Sequence, residues 1–150
     1  MVYFKRILGI LFLLLILTAC SENIDQSILK SKLPSFNEQI LNGDLSKFFV
    51  DKEFTLSQKE TYPFEKIEGK IIYATDFNLS INVNEEFEQL TKIEKENIVK
   101  RTFETLGLTN IGTNCGIKED HACFISGLEF QYENKRYVIT LKDKKVEVFE

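Results

Sequence analysis

The chain should fold as an α+β domain: an antiparallel sheet with a C-terminal β-meander, packed against one main amphipathic helix, with short N-terminal helices beside it. Three observations predict this. From Asp76 to Asn84 the sequence alternates strictly, with Phe77, Leu79, Ile81 and Val83 against Asn78, Ser80 and Asn82, which is the period of a half-buried strand. Thr91-Lys92-Ile93-Glu94 has capping-box spacing and opens a helix from about Lys92 to Leu106, in which Ile98, Val99, Phe103 and Leu106 recur at helical spacing before Gly107 closes it. Three alternating runs then follow: Leu128, Phe130 and Tyr132; Tyr137, Ile139 and Leu141; Val146 and Val148. Turns fall near Glu133-Asn134 and Lys142-Asp143, where Asn and Asp accept tight bends.

The remaining elements divide the chain into a leader (1–19), a tether (20–34) and one domain (35–150). Ser21 to Lys32 is polar with scattered apolar residues, and Pro34 interrupts a helix because it lacks a backbone donor. Ser35-Phe36-Asn37-Glu38 again has capping-box spacing; Phe36, Ile40 and Leu41 share a face, and Gly43 stops the helix. Asp44 can cap a further turn carrying Leu45, Phe48 and Phe49. Asp51 to Glu68 is charged and poorly periodic and predicts no element, while Ile71 to Tyr73 begins the strand at Asp76 or forms its neighbour. There is no internal repeat.

The leader carries the clearest motif. Lys5 and Arg6 form a short positive region, and Ile7 to Leu17 is a run of eleven residues in which only Gly9 is not strongly apolar. Such a run suits a signal peptide of roughly 7 to 15 apolar residues and is too short to span a membrane, which takes about 20. Leu17-Thr18-Ala19-Cys20 follows at once and resembles, position by position, the lipobox of bacterial lipoproteins. That resemblance implies cleavage between Ala19 and Cys20, a diacylglyceryl group on the Cys20 thiol, acylation of the new amino terminus, and a protein tethered to the extracytoplasmic face of the cell membrane. An ordinary signal peptide would need a small residue where the bulky Leu17 stands, and an uncleaved anchor is stopped by Ser21, Glu22, Asn23 and Asp25. The run from Phe77 to Leu106 is similar to segments of small lipoproteins of low-GC bacteria, a likeness that brings no activity and no catalytic residues.

Composition narrows the function classes. Thirteen Phe and five Tyr can fill one core without any Trp, and only two Pro and seven Gly argue against a disordered stalk. Loss of the leader removes two of the 19 basic residues and none of the 23 acidic ones, so the mature charge is −6. That sign disfavours nucleic acid and electrostatic adhesion to anionic lipid, so membrane association falls to the anchor; two acyl chains hold far better than one.

The densest reactive cluster is Cys115-Gly116-Ile117-Lys118-Glu119-Asp120-His121-Ala122-Cys123, with both remaining cysteines and the one histidine. Export favours a disulfide closing a small loop, valued at about 2–3 kcal/mol by the chain-entropy argument. Alternatively Cys115, His121 and Cys123, with Asp120 or Glu119, have the donor types of a metal site, although seven residues between the thiols is not knuckle spacing. Free thiols with redox chemistry are the third reading, and here the Cys-x-x-Cys spacing is missing. His121 reads as a solvated loop residue, since no Ser or Cys lies in a nucleophile turn that would need it as base. Glu85, Glu86 and Glu88 stand just before a helix, where the dipole favours negative charge, and need no catalytic role. Asp76-x-Asn78-x-Ser80 starts like a calcium loop but has Ile81 at the sixth position and Phe87 at the twelfth, so the pattern fails.

Two functions fit these residues. The first is a lipid-anchored accessory or binding module acting on a protein partner in the cell envelope, with no cofactor and no enzymatic activity. The second is a thiol- or metal-dependent enzyme centred on the loop from Cys115 to Cys123.

Overall fold

A computed structural model describes residues 24–41, 43–108, 111–115 and 121–150. The leader, the lipobox and Cys20 lie outside the described residues, as do Glu119, Asp120 and the side chain of Leu41. The fold is α+β, built on a mixed six-stranded sheet in the order β1-β2-β4-β5-β6, with β3 also paired to β4. The strands are β1 (Thr55–Ile67), β2 (Lys70–Asn82), β3 (Ile111–Asn114), β4 (His121–Tyr132), β5 (Lys135–Thr140) and β6 (Val146–Phe149). The helices are α1 (Ser27–Lys30), α2 (Leu33–Leu41), α3 (Glu85–Glu88) and α4 (Lys92–Leu106), with a 3-10 turn at Asp44–Phe48. Among the described residues, no helix is long and apolar enough to cross a membrane.

Register sorts the side chains into two faces. Leu79, Leu128 and Ile139 stand side by side, as do Ile81, Phe130 and Tyr137, and all six are buried in the core. The residues between them point to the opposite face: Asn78, Gly127 and Thr140 in one row, Ser80, Glu129 and Val138 in the next. Helix α4 covers the core face with Ile98, Val99, Thr102, Phe103 and Leu106, a stripe set by its 3.6-residue period. Phe87 of α3 anchors the packing, with its ring edge-on to Phe48, Phe130 and Tyr137 at 6.3, 5.6 and 5.2 Å.

The local signals around α4 act as the sequence predicts. Thr91 accepts from the Glu94 N–H while the Glu94 carboxylate accepts from the Thr91 N–H at 2.9 Å, and Gly107 ends the helix in the left-handed region at φ 56°. The meander β4-β5-β6 is antiparallel throughout, and its first turn is Glu133-Asn134.

Five expectations are corrected. The sheet is not antiparallel, because β2 and β4 run parallel, joined by a crossover through α3, α4 and β3. The helical layer is not one main helix, because α2 and the 3-10 turn bury Phe36, Ile40, Leu45 and Phe48 in the same core. The segment assigned to a tether joins the fold from residue 24 onward: Leu29 of α1 is fully buried, and the Asp25 N–H donates to the Cys115 carbonyl at 3.0 Å. Pro34 does not interrupt a helix but sits in the first turn of α2, where its missing N–H leaves no bond unmade. Nor is the alternating stretch from Phe77 to Ile81 half-buried, since Asn78 and Ser80 on its polar side are as inaccessible as its apolar residues.

The stretch Asp51 to Glu68, for which the sequence predicts nothing, contains the edge strand β1. Its pairing with β2 slips between Gln58 and Glu60 and again between Pro63 and Glu65. Each bulge adds a residue and reverses the alternation, which erases the period of two. Pro63 is tolerated because an edge strand has one side without a partner. The hairpin closes on Glu68 and Gly69, both at positive φ, the geometry of a two-residue turn matched to strand twist.

Candidate functional site

The pair at the centre of the predicted reactive loop is positioned by β3 and β4. Antiparallel pairing of Asn114 with Ala122 brings Cys115 to the start of β4, where its N–H donates to the His121 carbonyl at 2.9 Å. Cys115 and Cys123 then stand at disulfide distance, with Cα atoms 5.8 Å apart and both side chains buried. A pair held this way leaves neither sulfur as a thiolate for a metal ion or for redox exchange while the bond is made. Among the described residues, no three His, Cys, Asp or Glu side chains converge.

His121 is not a solvated loop residue. It is the first residue of β4, only 4 % exposed, and its Nε2 shares a hydrogen bond of 2.7 Å with the Thr75 hydroxyl. Thr75 is paired in turn with the Thr61 hydroxyl at 2.7 Å, and the Tyr73 ring stacks over the imidazole at 6.5 Å. Parallel register explains the set: Tyr73 lies beside His121 and Thr75 beside Cys123, so one face carries all four. A hydroxyl beside an imidazole has the chemistry of a nucleophile and its base. Here Thr75 is fully buried and its oxygen is shared with Thr61, so the chain of groups satisfies buried polar atoms instead. Sequence reading missed Thr61 and Thr75 because β1 has no readable period, and both residue types are ordinary in strands.

The second cluster gathers around Glu88. Asn84 caps α3 by accepting from the Phe87 N–H, and Glu85, Glu86 and Glu88 occupy its first turn, as a helix dipole favours. Glu85 and Glu86 remain exposed. Glu88 instead accepts from Lys135 Nζ at 2.6 Å and Tyr137 Oη at 2.6 Å, and pairs with Lys95 Nζ at 2.9 Å. Burial would push its carboxyl up, but the hydrogen bonds from Lys135, Lys95 and Tyr137 more than reverse this and hold it down at about 2. The same contact, added to burial, pushes the Tyr137 phenol well above its ordinary range, and it raises the Lys135 ammonium. Glu88 thus stays an anion that clamps α3, α4 and β5 together. A general acid would need the opposite shift. No spacing in the sequence links residue 88 to residues 135 and 137.

The failed calcium pattern lies on a strand, not a loop. Asp76 lines an open hollow of about 580 Å³ with Lys59, Glu60, Tyr62, Ser126 and Asp143, and its carboxylate accepts from Tyr62 Oη at 3.2 Å. Asn78 donates to the buried Glu129 at 3.4 Å, beside Gly127, where any Cβ would collide with the Asn78 amide oxygen. Gln131 and Arg136 complete the surroundings of Glu129.

Compared with known protein families, curated proteins and solved structures, the chain matches none. The class that fold and site define is an α+β domain with a parallel pair at the centre of its sheet, a cysteine pair at one end and a carboxylate clamp at the other.

Proposed function

We propose that the protein is a lipid-anchored extracytoplasmic accessory or binding module, held to the membrane through Cys20 and acting on a protein partner in the cell envelope. The observation that carries this reading is the buried pair Cys115 and Cys123 at disulfide distance, in a chain whose leader ends in Leu17-Thr18-Ala19-Cys20. Disulfides persist outside the reducing cytoplasm, which is where a lipobox would deliver the domain. The groups that resemble catalytic ones support the same reading, because His121 and Thr75 are buried against each other and Glu88 is locked as an anion. An α+β domain with a meander resting on helices serves such a module as a rigid frame, and the acidic mature surface favours a partner with basic groups.

Intact mass of the membrane-extracted protein, before and after reduction and beside a Cys20→Ala variant, tests the reading. A lipid-sized gain on a chain beginning at Cys20, lost in the variant, with two mass units added on reduction, is the expected result. An unmodified chain, or reduced thiols carrying stoichiometric metal, would overturn it and turn the search to thiol or metal chemistry.

A further inference from the structure

We infer that the tip of the β1–β2 hairpin is a second membrane contact, a short arm that inserts its apolar side chains among lipid headgroups beside the anchor. The inference rests on the lipid-anchor reading above. Three features of the molecule meet at one end of the sheet.

The first is where the chain enters the fold. Asp25 is bonded to Cys115, and Cys115 to His121, so the entering chain lies level with the start of β4. Cys20 precedes Asp25 by five residues, which cannot span more than about 17 Å even fully extended. A lipid on Cys20 therefore brings the bilayer surface within about that distance of Asp25, at the end of the sheet where β4 starts.

The second is the reach of the arm. Tyr73 is the residue of β2 level with His121, and the hairpin continues beyond it to the turn at Glu68 and Gly69 with no further pairing to β4 among the described residues. Four residues of strand make the arm about 13 Å long, which nearly matches the tether.

The third is what the arm presents. Nine large apolar or aromatic side chains are exposed among the described residues, and Phe64, Ile67, Ile71 and Tyr73 on the arm are four of them, each 40–51 % exposed. Ile28, three residues past Asp25, is a fifth. The arm is apolar on both faces. Ile71 and Tyr73 share the face of Thr75, while Phe64 packs on Phe124, on the opposite side from Cys123, at 5.4 Å. A flat protein surface, including a second copy of this chain, would cover only one face, whereas headgroups and acyl chains surround both. The charges at the tip balance, Glu65 and Glu68 against Lys66 and Lys70, so anionic lipid does not repel it. The two lysines can lay their stems along the apolar surface and keep their ammonium groups in water.

The test uses the full lipidated protein in vesicles of phosphatidylethanolamine and phosphatidylglycerol. Separate Ile67→Cys and Ile71→Cys variants carry an environment-sensitive fluorophore, and Asn134→Cys, in the turn at the far end of β4, carries the same label as control. Both arm positions are exposed, so neither substitution disturbs the core. The expected result is blue-shifted emission at the arm and quenching by headgroup-region nitroxide lipid at least about twofold stronger than at residue 134. Water-like emission at both arm positions, from protein that still sediments with the vesicles, would overturn the inference and leave the anchor standing. Protein that neither carries lipid nor sediments would overturn the anchor reading and this inference with it. A blue shift that lipid nitroxide does not quench and that grows with protein density would assign the arm to a second copy and likewise overturn the membrane contact.

Discussion

The two ends of the β2–β4 ladder are held by opposite means. Where both strands begin, the structure relies on Cys115 and Cys123, on the buried Thr75 hydroxyl shared between His121 and the exposed Thr61, and on a hairpin arm that runs on past the last described pairing with β4. Where they finish, Phe87 and Phe130 meet inside the core, and the Glu88 carboxylate closes over them with Lys95, Lys135 and Tyr137. One end is cross-linked and leaves apolar groups outside; the other is densely packed and puts its charge where it clamps three elements. The contrast suggests a division of labour in which the packed end carries stability and the cross-linked end can afford an exposed arm.

Substitutions can break that contrast, and the largest effect should come from the packed end. Phe87→Ala removes the ring at the centre of three edge-on contacts and should lower unfolding free energy by about 3–5 kcal/mol, read as a fall in the urea midpoint. A loss below about 1 kcal/mol would show that the core there repacks freely and is not the stabilising end. Replacing Cys115 and Cys123 together by Ala should cost less, about 2–3 kcal/mol, because the closed loop is short. Hydrogen exchange should accelerate most from His121 to Ile125 and least from Glu129 to Tyr132. Uniform acceleration along β4 would mean that the two ends do not differ.

Glu88→Gln sharpens the comparison through pH. Lys135 is 41 % exposed on its side chain and adds little, so the loss comes chiefly from Lys95 and Tyr137, at about 2 kcal/mol near neutrality. The folded carboxyl sits at about 2 against an ordinary 4.5, so the unfolded chain takes up its proton first as pH falls. The contribution is complete above about 4.5 and drains away as pH drops toward 2. Urea midpoints of parent and variant should therefore converge across that window. A gap that stayed constant down to pH 2 would show that packing, not ionisation, is what the substitution damages.

How much of this was legible depended on how far apart the cooperating residues lie in sequence. Thr91 with Glu94, Gly107 after Leu106, and Glu133-Asn134 between two alternating runs are local patterns, and each forms the cap or turn its spacing implies. The parallel pairing of β2 and β4 was not legible, because alternation tells which face a residue takes and says nothing of which strand lies beside it. Burial of His121 was hidden for a more particular reason. His121, Cys123 and Ile125 alternate in one phase, Leu128 and Phe130 in the other, and the slip at Ser126 that joins them makes the first three look like loop. The Glu88 clamp joins residues 47 and 49 positions apart, beyond any local pattern.

The smallest expected effect concerns the arm and has the opposite sign. Glu68 adopts φ 50° in a turn whose following residue, Gly69, is at φ 84°, and Asn accepts that left-handed position more readily than Glu. Glu68→Asn should stabilise the hairpin by about 0.5 kcal/mol, seen as slower exchange of the amides flanking the turn. If the arm opens independently of the packed end, the global urea midpoint will barely move while local exchange slows about twofold, the factor that 0.5 kcal/mol supplies. An equal shift in both would make the arm part of the same cooperative unit as Phe87. Its exposed side chains would then be held in place by the core and could not be reoriented by what they touch.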